Sequence, residues 1–195
     1  MGTGDAVGVP ETNEMPAPQP QKHWFIARVS PNTEKSTRAK LQALGYEAFV
    51  ASQQELRVWK NGDRRKKKMV EKVVITQYLF LHISKKEREA LIRYSFIKEF
   101  MRNKAAKTNT EFALMTDKEM ETLMRMFGQS DYPILFDAVD YTIGEEVLLH
   151  MGSFDYTARV VRKHGDSATY YGIRVGELGC AYMEVPSSAL SKQSS

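Results

Sequence analysis

The chain has 195 residues, of which 42% are hydrophobic and 27% charged, and this composition is typical of a globular protein with one medium domain or two small ones. It contains no apolar run of about 18 residues and no N-terminal secretory signal, so we expect a cytoplasmic protein without a membrane span. Its one cysteine, Cys180, excludes an intrachain disulfide framework and a cysteine-rich metal site.

The first half of the chain predicts an α+β domain that follows a tail. Residues 1–22 are rich in proline and polar residues, which predicts a disordered tail. The aromatic and β-branched run 23–29 predicts a strand. Residues 34–44 predict a helix that Gly45 ends, and residues 46–50 predict a second strand.

The next segment predicts a basic hairpin and then an apolar strand. Asn61-Gly62 is a strong hairpin signal, because both central residues of a type I′ turn need positive φ. Eight basic and three acidic residues between positions 55 and 72 give about +5, whereas the whole chain carries +4. This local charge favours a polyanion or an acidic protein surface as partner. Residues 73–83 are apolar on both alternating faces, which predicts one central strand.

Two helices with capping boxes complete the predicted first domain. Ser84 with Glu87 and Thr116 with Glu119 have the required spacing, and a short strand is predicted near residues 97–101. Residues 23–127 are therefore predicted as one domain with an antiparallel sheet flanked by helices.

A second unit is predicted after a linker at residues 128–139. Residues 140–192 contain short alternating segments separated by glycine-containing turns, which predicts a small β-barrel. The predicted strands are 147–150, 158–162, 167–175 and 181–185.

Residue patterns for catalysis or cofactor binding are not found in the sequence. The four histidines lie far apart, and no phosphate-binding glycine loop or nucleophile motif occurs. We therefore expect neither an enzyme nor a bound metal or cofactor. The basic run can alternatively be interpreted as a solvated surface. The aromatic residues of the strands can alternatively be interpreted as core residues.

The order of predicted elements resembles that of the NusG family of transcription elongation factors. Residues 74–81, VITQYLFL, resemble the family's signature strand, usually Leu-Phe-Pro-Gly-Tyr-Val-Phe-Val, with Thr76-Gln77 in place of Pro-Gly. In the second unit, residues 141–147 and 152–154 resemble the beginning of a KOW domain. Three further segments resemble the N-terminal domain of the family: 22–27, 45–50 and 115–120.

The resemblance implies a NusG-type N-terminal domain joined to a small C-terminal KOW-like β-barrel. It also implies docking on the clamp helices of RNA polymerase and suppression of pausing or termination. The hairpin would reach toward the other polymerase jaw or upstream nucleic acid. Residues implied to line the docking depression are Trp24, Phe25, Ile75, Tyr78 and Phe80. The hairpin contacts would come from Arg64, Arg65, Lys66, Lys67 and Lys68.

The degenerate motifs and the proline-rich tail resemble those of a specialised paralogue, either RfaH-like or UpxY-like, acting at capsular polysaccharide operons. Arg28, Lys35 and Lys40 on and beside the first helix would then contact nontemplate DNA or nascent RNA. The second domain would bind a ribosomal protein or Rho, and the protein would be a monomer. The alternative is a ribosome-associated or general RNA-binding KOW protein that does not bind polymerase.

Overall fold

The chain forms two units of antiparallel strands, in the part that the computed structural model describes: residues 20–61, 64–104, 106, 111–130, 133–138, 142–151, 154–162, 170–184 and 190–191. The elements of the N-terminal unit are β1 (Lys22–Arg28), α1 (Glu34–Ala43), β2 (Glu47–Phe49), β3 (Ser52–Asn61), β4 (Arg64–Val73), β5 (Tyr78–Ser84), α2 (Lys85–Leu91), β6 (Glu99–Phe100), β7 (Leu114–Met115) and α3 (Asp117–Gln129). Those of the C-terminal unit are β8 (Leu135–Asp137), β9 (Thr142–Met151), β10 (Phe154–Arg162), β11 (Tyr170–Val175), β12 (Gly179–Glu184) and β13 (Leu190–Ser191).

The main N-terminal sheet has the strand order β2-β5-β1-β6, and β7 also pairs with β1. In the antiparallel pair β1 and β5, Ile26 lies opposite Phe80 and Phe25 lies opposite Leu81. Since successive side chains of a strand point to opposite faces, these two pairs belong to different faces of the sheet. Phe25 packs in one cluster with Leu41 of α1, whereas Ile26 and Phe80 belong to another cluster. The predicted antiparallel sheet flanked by helices is confirmed.

The two predicted capping boxes are confirmed, and they fix where α2 and α3 begin. The Ser84 hydroxyl accepts from the Glu87 backbone N–H, and the Glu87 carboxylate accepts from the Ser84 N–H at 2.7 Å. Thr116 and Glu119 make the same reciprocal pair at α3. Each box satisfies two backbone donors that the first turn leaves free. The buried residues of α3 are Met120, Leu123, Met126 and Phe127.

The prediction of one strand over residues 73–83 is wrong, because β4 and β5 are separate strands joined by a turn. Gln77 in this turn has φ 68°, at the position where the NusG pattern has glycine. Its backbone N–H donates to the Glu34 carboxylate at 2.7 Å, and its carbonyl accepts from the Val29 N–H at 2.8 Å. Glu34 is 3% exposed. A buried carboxylate therefore holds a backbone conformation that is unfavourable for a residue other than glycine.

The hairpin of β3 and β4 forms a two-stranded sheet of its own. Its ten residue pairs run without a register shift from Ser52 opposite Val73 to Asn61 opposite Arg64. The prediction of Asn61 as a central turn residue is wrong, because Asn61 is the last residue of β3 and pairs with Arg64. Gly62, the other predicted turn residue, lies outside the described residues. A regular ladder means that the two residues of each pair share one face of the hairpin.

The base of the hairpin is tied to α1 through Glu71. Its carboxylate accepts from the Ser52 hydroxyl at 2.6 Å and lies 3.4 Å from the Arg38 guanidinium. Lys35 is 3.5 Å from the same carboxylate. The Ser52 hydrogen bond, with the charges of Arg38 and Lys35, lowers the pKa of Glu71 below its ordinary value. These contacts set the direction in which the hairpin leaves the domain.

The C-terminal unit is a six-stranded antiparallel sheet with the order β13-β9-β10-β11-β12-β8. The described strands form an open path, so they do not show the closed barrel that was predicted. The segment 128–139, predicted as a linker, contains the end of α3 and the edge strand β8. Ile134 in this segment is 2% exposed. A three-residue strand is too short to show periodicity in the sequence, and this explains why β8 was missed.

We expect Glu34→Ala to lower the free energy of unfolding by about 1–3 kcal/mol, because it leaves the Gln77 N–H without its acceptor. Gln77→Gly should leave stability unchanged or raise it by about 1 kcal/mol, since glycine adopts positive φ without strain. Urea unfolding of the two variants measures both effects. The control is Glu121→Ala on the exposed face of α3. Equal stability of Glu34→Ala and the parent would contradict this role of the carboxylate.

Glu71→Gln tests the pH dependence of the hairpin base. Because the folded-state pKa of Glu71 is lowered, its ionised form stabilises the fold above the unfolded value near 4.5. The variant should be less stable than the parent by about 1 kcal/mol at pH 7. That difference should disappear as the pH falls through the folded pKa. A stability difference that stays constant from pH 7 to pH 3 would show that ionisation is not involved.

Candidate functional site

One face of the N-terminal sheet carries a row of apolar side chains across β1 and β5. Trp24 is 5% exposed, and Ile26 and Phe80 are fully buried. The Trp24 ring stacks on the His82 imidazole, with 4.9 Å between ring centroids and 13° between planes. His82 is held in turn by the Glu47 carboxylate, 2.9 Å from its Nδ1 atom. We call Trp24, Ile26 and Phe80 the apolar sheet face.

The apolar sheet face is covered by α3 and by the C-terminal sheet together. Side chains of all three form a single hydrophobic cluster. At Gly176, between β11 and β12, a Cβ atom would lie 2.9 Å from Ile26 Cδ1 and 3.9 Å from Met115 Cγ. The two units therefore meet at van der Waals distance. The C-terminal members of the cluster are Ala158, Val160, Tyr171, Val175, Leu178, Ala181 and Met183.

Polar contacts fix the chain segment that connects the two units. The Gln53 side chain at the hairpin base accepts from the Ile134 N–H at 2.8 Å and donates to the Ile134 carbonyl at 3.4 Å. The Ser130 hydroxyl lies 3.7 Å from the Met183 sulfur. A side-chain amide that pairs with a backbone N–H and C=O imitates a strand neighbour, so Gln53 fixes both the position and the direction of the connection.

The structure separates the five residues predicted to contact polymerase. Trp24 and Phe80 lie on the apolar sheet face, and Ile75 and the half-buried Tyr78 contribute to the same cluster. Phe25 lies in the opposite cluster with α1 and α2 and is 2% exposed. Adjacent strand residues cannot line the same depression, so Phe25 belongs to the core. Polymerase contact by the other four residues stays a prediction.

The predicted hairpin cations also divide between two faces. Lys66 lies opposite Trp59 and Lys68 opposite Arg57, whereas Lys67 lies opposite Val58 on the other face. Arg65 shares the Lys67 face, and Arg64 pairs with Asn61 at the end of the ladder. The five consecutive cations therefore form no continuous patch on one side.

The sequence analysis did not single out Trp59, whose side chain is 45% exposed. Trp59 lies opposite Lys66 and on the same face of the hairpin as Arg57. Three more large apolar residues of the hairpin are exposed on the opposite face: Leu56, Val58 and Met69. The signal was present in the sequence, because alternation along a strand places Arg57 and Trp59 on one face and Leu56 and Val58 on the other.

The three residues predicted for nucleic-acid recruitment are engaged by three different partners. Arg28 makes an ion pair with Glu99 at 2.7 Å, and Lys35 binds Glu71 at the hairpin base. The Lys40 ammonium lies 5.6 Å from the centroid of the Phe96 ring. A nucleic-acid role for them stays a prediction, and the structure gives Lys35 a positioning role that the sequence did not indicate.

A hollow of about 590 Å³, bordered by Arg88, Arg102 and Lys104, lies between α2 and β6 and was not predicted from the sequence. The Arg88 guanidinium lies 3.7 Å above the Phe112 ring, and that of Arg102 lies 5.0 Å from the same ring. The contact joins residues 24 positions apart in the chain, so no local pattern indicates it.

Within the described ranges, no three His, Cys, Asp or Glu side chains are grouped so that they could hold a metal ion. None of the helices in the described part of the chain is long and apolar enough to cross a membrane. Burial raises the pKa of the Cys180 thiol to about 12, so this thiol stays protonated at neutral pH.

Comparison with known proteins places the N-terminal unit in a family. The model of the NusG family, described as transcription termination factor nusG, matches residues 22–124, which is more than half of the 195 residues. No curated protein matches the chain in sequence. A solved structure titled "Domain interaction in Thermotoga maritima NusG" is similar at a TM-score of 0.42 and 12% identity, covering 89% of this chain and 98% of that chain. The family comprises transcription factors rather than enzymes. Because the family model matches more than half of the chain, and the matched residues form the antiparallel α+β unit, the chain belongs to the NusG family.

Proposed function

We propose that this protein is a transcription elongation or antitermination factor that binds RNA polymerase through the apolar sheet face. The observation that carries the proposal is the position of this face. It lies in the unit that matches the family, and a second unit of the same chain covers it. Large aromatic side chains that can be uncovered are strong anchors for a protein partner.

Polymerase binding through this face requires the C-terminal unit to move away. Trp24 and Phe80 have almost no solvent contact while the two units are packed together. A partner that binds only the open state must have enough affinity to shift the equilibrium between the two states. If about 1% of the molecules are open, the apparent affinity is about 100-fold weaker than that of the open state. The C-terminal unit thereby regulates recruitment.

The polymerase element that is bound, the operons and the partner of the C-terminal unit are proposed from the resemblance to the family. The polymerase partner would be the clamp helices, and the setting would be specific operons, such as those for capsular polysaccharides, as for RfaH-like and UpxY-like paralogues. The C-terminal unit would be KOW-like, with a ribosomal protein or Rho as its partner, and its short antiparallel strands support this proposal. We propose that the protein acts as a cytoplasmic monomer.

We expect Leu178→Glu to increase the affinity for core RNA polymerase by about tenfold or more. Leu178 is 8% exposed and reaches the shared cluster from the turn between β11 and β12. A charged residue there disfavours the packed state, because the uncompensated carboxylate would be buried. Pull-down titration with core polymerase measures the change.

The matched control for this experiment is Leu44→Glu. Leu44 ends α1 and is 49% exposed, so the same substitution there leaves the packing of the two units unchanged. Weaker or unchanged polymerase binding by Leu178→Glu, with the N-terminal unit still folded by circular dichroism, would contradict the proposal. Failure of every variant to bind polymerase would favour a general RNA-binding role instead.

Tyr78→Ala should weaken polymerase binding by at least tenfold in the Leu178→Glu background, because truncating an anchor aromatic at an interface typically has this effect. Tyr78 is only half-buried, so its replacement perturbs the core less than replacement of Phe80 would. The comparison is Tyr94→Ala, which removes a 42% exposed tyrosine beyond α2. Equal losses in both variants would show that the effect is not specific to the apolar sheet face.

A further inference from the structure

The hairpin has two chemically different faces, which its ladder defines. On one face Trp59 lies opposite Lys66 and Arg57 lies opposite Lys68. We call these four residues the tryptophan face. Successive pairs on one face are about 7 Å apart along the hairpin. Trp59 therefore has a cation directly beside it and two more one step nearer the base.

Among the described residues, the counter-charge of the tryptophan face lies near its base. Glu55 lies 3.4 Å from both Arg57 and Lys72. For Lys66 and Lys68, by contrast, the described residues provide no carboxylate within ion-pair distance. Cations gathered without counter-charges repel one another, and a bound polyanion relieves that repulsion. The charge of this face is thus complementary to a phosphate backbone.

The indole beside these cations indicates what the polyanion carries. Trp59 is 45% exposed and borders a hollow of about 550 Å³ whose other lining residues are all lysines. An exposed aromatic ring costs hydration free energy, which stacking with a second flat ring recovers. Unpaired bases provide such rings at regular intervals along a phosphate chain, whereas the bases of a duplex are already stacked on one another.

We propose that the tryptophan face binds single-stranded RNA, with a base stacked on Trp59 and phosphates held by Lys66 and Lys68. RNA is preferred to DNA as occupant because the chain belongs to a family of transcription factors, and a growing transcript is unpaired as it emerges. The inference deepens the proposed function, but it does not need polymerase for its test. A failure of the RNA-binding proposal would therefore not contradict polymerase binding, and a failure of polymerase binding would not contradict RNA binding.

Trp59 also provides its own spectroscopic probe. The chain has two tryptophans, and the other, Trp24, is 5% exposed and stacked on His82. A base that stacks on Trp59 should quench the exposed part of the indole emission, while the buried Trp24 is unaffected. The full chain is titrated with a labelled oligouridine of about 15 nucleotides, a length within the site sizes of single-strand binding proteins. Anisotropy gives the affinity and tryptophan emission reports the stacking.

The expected results separate stacking from charge. Trp59→Ala should weaken oligouridine binding about ten- to hundredfold and abolish quenching, with little change in the salt dependence. The double variant Lys66→Gln, Lys68→Gln should instead reduce the slope of log affinity against log salt by about one unit. Leu56→Ala, on the opposite face and 52% exposed in the parent, is the matched control and should bind as the parent does.

Several outcomes would overturn the assignment. Oligouridine binding that survives Trp59→Ala without loss would remove the stacking role, and equal affinity for duplex RNA would remove the preference for unpaired bases. Much tighter binding of oligothymidine would make DNA the occupant. An absence of nucleic-acid binding, combined with a loss of polymerase pull-down in Trp59→Ala, would identify the tryptophan face as a protein contact. Weaker binding of oligothymidine than of oligouridine supports RNA, and equal binding would overturn the choice of RNA over DNA.

Discussion

The packing of the C-terminal sheet against the apolar sheet face is the interaction on which the rest of the structure depends. Trp24, Ile26 and Phe80 form one hydrophobic cluster with side chains from both units. Burying a side chain of this size contributes about 1.5–3 kcal/mol, so the shared cluster holds the two units together. Under the proposed function, the same side chains stabilise the packed state and bind polymerase in the open state.

The contacts at the connection between the two units would allow the C-terminal sheet to be released while the hairpin stays in place. Gln53 at the hairpin base holds Ile134 with two hydrogen bonds, just after the end of α3. The hairpin base is fixed independently by Glu71, which joins Ser52 to α1 through Arg38. Release of the C-terminal sheet therefore does not require the hairpin to change direction. The tryptophan face lies on the hairpin itself, so it is available in either state.

The predictable part of the fold came from signals that are local in sequence. The capping boxes at Ser84 and Thr116 indicated the starts of α2 and α3, and apolar and β-branched segments indicated several of the longer strands, such as β1 and β10. The break between β4 and β5 was missed because it depends on a distant residue. Glu34 stabilises the positive φ of Gln77 from 43 positions away. No pattern within the strand itself carries that information.

The candidate site was predictable to a smaller degree. Sequence alone proposed Trp24 and Phe80, but it also proposed Phe25, although alternation along β1 places Phe25 on the opposite face. It could not indicate that the face is covered, because burial between two units depends on tertiary contacts such as that of Gly176 with Ile26. For the hairpin, the predicted Asn61-Gly62 turn would place Trp59 opposite Arg64 rather than opposite Lys66, although the same residues share a face in either register. Trp59 was overlooked beside the more conspicuous charges.

A reversible covalent lock tests the exchange of partners most directly. A Cβ atom at Gly176 would lie 3.9 Å from Met115 Cγ and 2.9 Å from Ile26 Cδ1. Once the end of the Ile26 side chain has shifted, the double variant Met115→Cys, Gly176→Cys brings two thiols within reach of a disulfide. The one native cysteine, Cys180, is buried. The measurement is binding of core RNA polymerase by this variant before and after reduction. We predict no binding by the oxidised protein and recovery on reduction. Equal binding by both forms would contradict the exchange of the C-terminal sheet for polymerase.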